Sequence, residues 1–269
     1  MAIIALHNAA SGLKALSTRI DVTANNLANA ETTAFKASRT NFEDLMYLTL
    51  DHPGGQNLQG DIDPVGVQVG LGVKVANTAI NFEQGPLERT DRPLDVSIQG
   101  EGFFKVSILD SIGDGFAYTR NGNFFANPDG ELVLDIGEGY RIEPGINIPP
   151  GTVDIEIGND GLIKGRAAGE NELSVLGQLE LARFVNPHGL EQLGGQLYLE
   201  TEASGPPFDA NPGENGNGQI LQGFLEGSNV DPVKELIGLI KTQRSFELNS
   251  QSIQTADQAL QTIGNLRRF

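Results

Sequence analysis

Cysteine and tryptophan are absent from the 269 residues, and histidine occurs only three times. Without Cys there is no disulfide framework, no thiolate metal site and no thiol nucleophile. His7, His52 and His188 stand far apart, with no HExxH and no other pair at metal-ligand spacing. Aromatics make up 6%, leaving few of the flat platforms on which sugar and drug-like ligands rest. Positive charge is scarce too: 18 Lys and Arg face 35 Asp and Glu, a formal charge of −17. Phosphate backbones need clustered cations, so nucleic acid is excluded as a partner. Apolar runs are short, and none nears the ~18 residues of a spanning helix, so no direct membrane insertion is expected. The opening MAIIALHNAASGLK has no basic leader and only a brief apolar burst, unlike a cleaved secretory signal.

Catalytic patterns are missing as well. There is no GxSxG elbow and no phosphate loop. Gly100-Glu101-Gly102 starts like a dinucleotide fingerprint, but Phe103, Phe104 and Lys105 follow where the third glycine belongs. Asp61, Asp63, Asp91 and Asp95 gather in the sequence. They admit an acid/base couple or a calcium site. Asp next to Pro or Gly is foremost turn chemistry, so solvated turns are expected there. No catalytic residue, cofactor or metal is expected, and the chain does not read as an enzyme.

What is present is segregated. From Ile3 to Ala30 the only glycine is Gly12, and proline is absent. Apolar or small residues recur there in alternating steps of three and four: Leu6, Ala9, Leu13, Leu16, Ile20, Thr23, Leu27, Ala30. That is a heptad seam on a helix. The other end repeats the design. Asp231 suits an N-cap and Pro232 the first helical position. A second seam runs Leu239, Thr242, Phe246, Asn249, Ile253, Ala256, Leu260, Ile263. Periodicity alone admits two helices packed on their own globular core. Seams this narrow, rich in Ala, Thr and Asn, hold an isolated pair weakly and suit many copies side by side.

Between the ends, residues 67–224 read as β. Short apolar runs (Val67–Val75, Leu94–Ile98, Phe103–Leu109, Leu132–Ile136, Val153–Ile157, Leu176–Phe184) alternate with turn signals such as Asn127-Pro128-Asp129-Gly130 and Asn159-Asp160-Gly161. This spacing predicts an antiparallel sandwich or irregular barrel. Residues 47–66, with Pro53, Gly54, Gly55 and Pro64, fit neither helix nor strand and read as an extended excursion.

Residues 24–39, ANNLANAETTAFKASR, resemble the N-terminal signature of the bacterial flagellar rod and hook axial protein family. The matching positions are Asn25, Asn26, Leu27, Ala28, Asn29, Thr33, Ala34, Phe35 and Lys36; many relatives have Gly at the position of Ala34. DVSIQGEGFFKV (95–106), YTRNGNF (118–124), LARFVNPHGLEQLGGQLYLET (181–201) and the stretch 223–261 resemble further family motifs, in order and almost end to end. Room for a single β domain, and the stretch 44–73, resemble the distal-rod branch. Proximal rod and hook-like members are the alternative.

The resemblance implies an α+β fold: two long terminal helices forming a coiled-coil-like inner domain, and a mainly antiparallel β outer domain. It divides the chain into 1–45 (axial helix and signature turn), 46–73 (rod-specific segment), 74–225 (β domain) and 226–269 (C-terminal axial helix). It implies a structural subunit of a rigid helical tube in the basal body, transmitting torque and enclosing an export channel. Partners would be further copies, proximal rod proteins below, hook protein above and ring (bushing) proteins around. Export would use the flagellar type III apparatus, without cleavage. Leu6, Leu13, Leu16, Ile20, Leu27, Phe246, Ile253, Leu260 and Ile263 are the expected assembly interface. A finite adaptor complex or a carboxylate-dependent hydrolase are the competing readings.

Overall fold

The computed structural model describes residues 2–52, 54, 65–108, 114–137, 139–169 and 172–266. The fold is an α+β mixture of two α-helices and many short antiparallel strands. The chain sorts into two compact units. Met1–Ala28, Ser38–Ile80 and Asp231–Phe269 form one, the terminal unit; Asn29–Ala37 and Asn81–Val230 form the other, the β unit.

In the terminal unit, helix α1 (Ala2–Ala28) packs along helix α2 (Pro232–Leu266). Asp231 caps α2: its Oδ1 accepts from the amides of Val233 at 3.0 Å and Lys234 at 3.1 Å, two of the donors a helix start leaves open. The bonded amides hold the Asp231 carboxyl below its usual range. Gly12 allows close approach, since a Cβ there would lie 3.3 Å from Nδ2 of Asn249.

Four strands complete this unit: β1 (Ser38–Asp44), β2 (Tyr47–Thr49), β3 (Gln68–Gly70) and β4 (Val73–Ile80). β1 pairs antiparallel with β4, with a register shift at Asn41/Phe42, and β2 pairs antiparallel with β3. α1 is tied to this ribbon by polar side chains. Asn8 Nδ2 donates to the Gly70 carbonyl at 2.9 Å, and Val73 N donates to Ser11 Oγ at 3.3 Å. Gly72 stands at φ 110 with Ser11 where a side chain would be, so only glycine fits. That kink divides the expected run Val67–Val75 between β3 and β4. The base of the expected excursion is thus a hairpin; residues 53 and 55–64 lie outside the described residues. β1 is also new, because SRTNFED is too polar to announce a strand.

The β unit centres on a seven-stranded antiparallel sheet in the order Glu191–Gly194, Leu197–Leu199, Phe116–Thr119, Phe104–Ser107, Arg141–Glu143, Leu132–Leu134, Phe124–Ala126. A three-stranded sheet (Thr152–Ile157, Leu162–Ala167, Ser174–Gln178) and three two-stranded ribbons adjoin it. The ribbons pair Leu181–Arg183 with Phe208–Ala210, Val96–Gln99 with Gln219–Gln222, and Leu87–Arg89 with Phe224–Glu226. The expected single run Leu176–Phe184 therefore serves two sheets. One core joins these pieces, with Ile98, Phe104, Leu134, Ile163, Leu181 and Ile220 fully buried.

Candidate functional site

The signature residues fall into two groups. Asn25, Asn26 and Leu27 close α1 in the terminal unit, whereas Asn29, Thr33, Phe35 and Lys36 belong to the β unit. Asn26 is buried and binds Ser38 both ways: Nδ2 donates to the carbonyl at 2.8 Å and Oδ1 accepts from the amide at 2.9 Å. Asn25 is exposed, and Leu27, Asn29, Thr33 and Phe35 are half-buried. Thr32 stabilises the next turn, its hydroxyl 3.1 Å from Asn29 Oδ1.

Residues 34–37 then run beside 226–229. Ala34 N donates to the Glu226 carbonyl at 2.7 Å, Asn229 N to the Phe35 carbonyl at 3.3 Å, and Ala37 N to Asn229 Oδ1 at 2.7 Å. Ala34 sits at φ 56, in the left-handed region, fully buried. A glycine here would carry no such penalty, having no Cβ.

Lys36, which follows, reaches into the β unit and meets two other buried charges. Its Nζ lies 2.6 Å from Glu226 Oε1 and donates to the Glu83 carbonyl at 2.7 Å. Arg120 Nε donates to Glu226 Oε2 at 2.8 Å. The side chains of Lys36 and Glu226 are wholly buried and that of Arg120 nearly so. The remaining bonding capacity is used by backbone. Gly85 N donates to Glu226 Oε1 at 2.9 Å. Arg120 donates to the carbonyls of Gly102 at 3.1 Å and Gly100 at 2.9 Å. The ring of Phe103 lies 5.9 Å from its guanidinium carbon, and Phe82 and Tyr198 extend the aromatic cluster.

Two cations share one anion, so the cluster carries a net positive charge in a buried site. The consequence is asymmetric. Burial, reinforced by Arg120, lowers Lys36 from 10.5 to about 8 despite the attraction of Glu226. Burial alone would raise Glu226, but Arg120 and then Lys36 outweigh it and hold the carboxyl below its usual range. Burial also pushes up the Tyr198 hydroxyl nearby. This is a clasp within the β unit: it holds residues 34–37 and 226–229 to Arg120.

Sequence reasoning placed Lys36 in the signature but missed Arg120 and Glu226 as its partners. Each of the three lies inside a quoted motif, and that was the available signal. Asp95 also departs from expectation. It is fully buried, 3.6 Å from Arg92, not a solvated turn residue, because its strand enters the core at Val96. Asp91 is exposed, beside Arg89, and Asp61 and Asp63 lie outside the described residues.

The expected interface residues lie in the terminal unit. Leu6, Leu13, Leu16 and Ile20 are half-buried along α1. On α2, Ile253 is half-buried and Phe246 and Leu260 are each 36% exposed; the side chain of Ile263 lies outside the described residues. Thr242, Asn249 and Ala256 turn inward with them. The opposite face of α2 is apolar as well. Val233 (65%), Leu236, Ile237, Ile240 (58%) and Leu248 are exposed there, a second stripe absent from the expected set.

Comparison with known proteins finds three family models matching the chain in order. They are a flagella basal body rod protein model over residues 6–36, a flagellar hook protein FlgE/F/G D1 domain model over 97–165, and a flagellar basal body rod FlgEFG protein C-terminal model over 221–266. Each matched segment contributes one member of the clasp: Lys36, Arg120 and Glu226 respectively. A flagellar basal-body rod protein FlgG of Caulobacter vibrioides is 46% identical over 98% of this chain and 99% of its own. One from Buchnera aphidicola subsp. Schizaphis graminum is 45% identical over 95% of this chain and 96% of its own. A rod protein FlgF of Caulobacter vibrioides is 36% identical over 90% of this chain and 89% of its own.

Proposed function

The chain belongs to the flagellar basal-body rod protein family, and from that premise we propose that it is the self-assembling subunit of the distal rod. It is a structural protein of the basal body and not an enzyme. Identity to the rod proteins named FlgG exceeds identity to the one named FlgF, which supports assignment to the former branch. The observation that carries the assembly reading is the apolar face of the terminal unit. A helix showing Val233, Ile237, Ile240 and Leu248 to water is incomplete alone. Burying one such side chain contributes about 1.5–3 kcal/mol, and repetition along a tube makes the sum large.

In this reading residues 1–45 and 226–269 form a coiled-coil-like inner layer around an export channel. Residues 46–73 are specific to the rod, and 74–225 form the outer β domain. Leu6, Leu13, Leu16, Ile20, Leu27, Phe246, Ile253, Leu260 and Ile263 hold the seams between helices of one and of neighbouring copies, while Thr242 and Asn249 fix register. Contacts that do not close on themselves propagate as a helical polymer. The tube passes torque to the hook protein, stands on proximal rod proteins and turns inside bushing rings. Subunits reach it through the flagellar type III apparatus, unfolded and uncleaved. Electron microscopy of concentrated protein tests this reading: straight helical tubes are expected, and a finite oligomer or a persistent monomer refutes it.

A further inference from the structure

Two apolar patches of the terminal unit are exposed, and they are unlike each other. One is the outer stripe of α2, whose members lie opposite the seam at 100° per residue and span about 22 Å from Val233 to Leu248. Arg244 falls within the stripe, four residues from both Ile240 and Leu248, and Lys241 flanks it; Glu247 is the acid on that side. The other patch is the β2–β3 hairpin and its flanks. Met46 is 81% exposed, Tyr47 57% and Leu50 57%, with Leu48 and Val67 beside them. Its near charges are Asp44, bonded to the Tyr47 hydroxyl, and Asp51, both exposed. Met46 to Leu50 extends about 14 Å at strand rise, enough to cover the part of the stripe from Ile240 to Leu248, about 12 Å.

We infer that the β2–β3 hairpin of one copy docks on the outer stripe of α2 of a second copy. Self-pairing of the stripe would face Arg244 and Lys241 with their own equivalents. The exposed side of α1 offers no large apolar side chain among the described residues. The hairpin supplies what the stripe lacks: a strip of Met, Tyr and Leu long enough to cover Ile240 to Leu248, with carboxylates at Asp44 and Asp51 to meet the two cations. Since donor and acceptor surfaces differ, every copy offers both, and the contact repeats head to tail. The inference rests on the polymer reading above and assigns it one specific junction.

The absence of native cysteine makes the test clean. Ile240→Cys and Leu50→Cys variants of the full chain are purified separately and mixed in equal amounts before assembly. Polymer is confirmed by electron microscopy and treated with a short bismaleimide. Cross-linked dimer is expected in the mixture at no less than ten times its level in either variant alone. Adding Arg244→Glu to the Ile240→Cys chain should lower that yield at least tenfold, and adding Asp51→Arg to the Leu50→Cys chain should restore it. Ile237→Cys with Val67→Cys gives the same readout should either first variant fail to polymerise. Dimer from Ile240→Cys alone at the mixture's level means self-pairing and overturns the inference. So does well-formed polymer with no dimer in the mixture for either pair. Failure of the parent chain to polymerise refutes the polymer reading itself.

Discussion

Replacing Glu226 by Gln keeps the shape of the clasp and leaves Lys36 and Arg120 buried side by side with no anion between them. Breaking a buried ion pair this way costs about 3–5 kcal/mol. The alternative open to the protein is to shed the Lys36 proton. From 10.5 to pH 7 that costs about 5 kcal/mol at ~1.4 kcal/mol per unit, so the two routes bound the same figure. Lys36→Met has the opposite character. It removes the surplus cation and leaves Arg120 and Glu226 matched, so the expected change is between neutral and ~2 kcal/mol stabilising. Arg120→Met is intermediate or worse, because the carbonyls of Gly100 and Gly102 lose their donor, at about 1–3 kcal/mol each. Urea unfolding of the full chain, followed by the near-ultraviolet signal of buried Tyr118 and Tyr198, reads all three. pH supplies an independent arm. With Lys36 at about 8 folded and 10.5 unfolded, the unfolded chain binds more protons between those values. Stability of the parent should therefore rise across that window by up to ~3 kcal/mol relative to Lys36→Met, in which the slope is gone. If Lys36→Met costs as much as Glu226→Gln, or the two slopes coincide, the shared-anion account is wrong.

Ala34 tests the strained turn. Ala34→Gly should fall within about 1 kcal/mol of the parent, relief of the left-handed penalty being offset by a lost buried methyl and added chain entropy. Ala34→Val should cost more than ~2 kcal/mol by the same urea assay, since a branched side chain tolerates that region worst; equal effects of the two would rule the strain out. Leu13→Asp or Leu260→Asp puts a charge into an apolar seam: polymer should disappear by electron microscopy while the Tyr118 and Tyr198 signal persists, and motile cells carrying either change would refute the inner-layer assignment. Removing residues 48–65 should leave polymers that form but curve; straight ones would place rigidity elsewhere.

Much of the terminal unit was legible because helices advertise themselves by period. α2 begins at Pro232 after a capping Asp231, as the residue order suggests, and Thr242, Asn249, Ile253 and Ala256 turn inward together. α1 stops at Ala28, close to the expected Ala30. Where the reading failed, the period was absent or interrupted. β1 is a polar strand of mixed exposure lying on α1, so alternation did not mark it. Gly72 divides one apolar run into two ladders through a positive φ that hydropathy does not register. The outer stripe of α2 was overlooked for another reason. A heptad seam marks one face of a helix only, and Val233, Ile237 and Ile240 lie off it, so its period carries no signal for them.

The clasp was illegible on different grounds. A lone Lys, Arg or Glu is solvated by default, and nothing local distinguishes Lys36 from Lys14 or Glu226 from Glu235. The pairing is set by topology alone, Lys36 and Glu226 standing 190 positions apart in the sequence and Arg120 and Glu226 106. What could have raised the question is context: each charge stands between aromatic, glycine or small residues in a motif otherwise free of like neighbours, as in AFKAS, YTRNG and FLEGS. A charge placed where burial is the rule needs a counter-charge, and the motifs are the first place to look for it. The same logic dictates when the fold can be complete. Lys36 has no anion until Glu226 arrives, and the left-handed turn at Ala34 has no acceptor until the Glu226 carbonyl is in place. Residues 34–36 therefore find their partners only once the last strand of the β unit, Phe224–Glu226, is in place beside them.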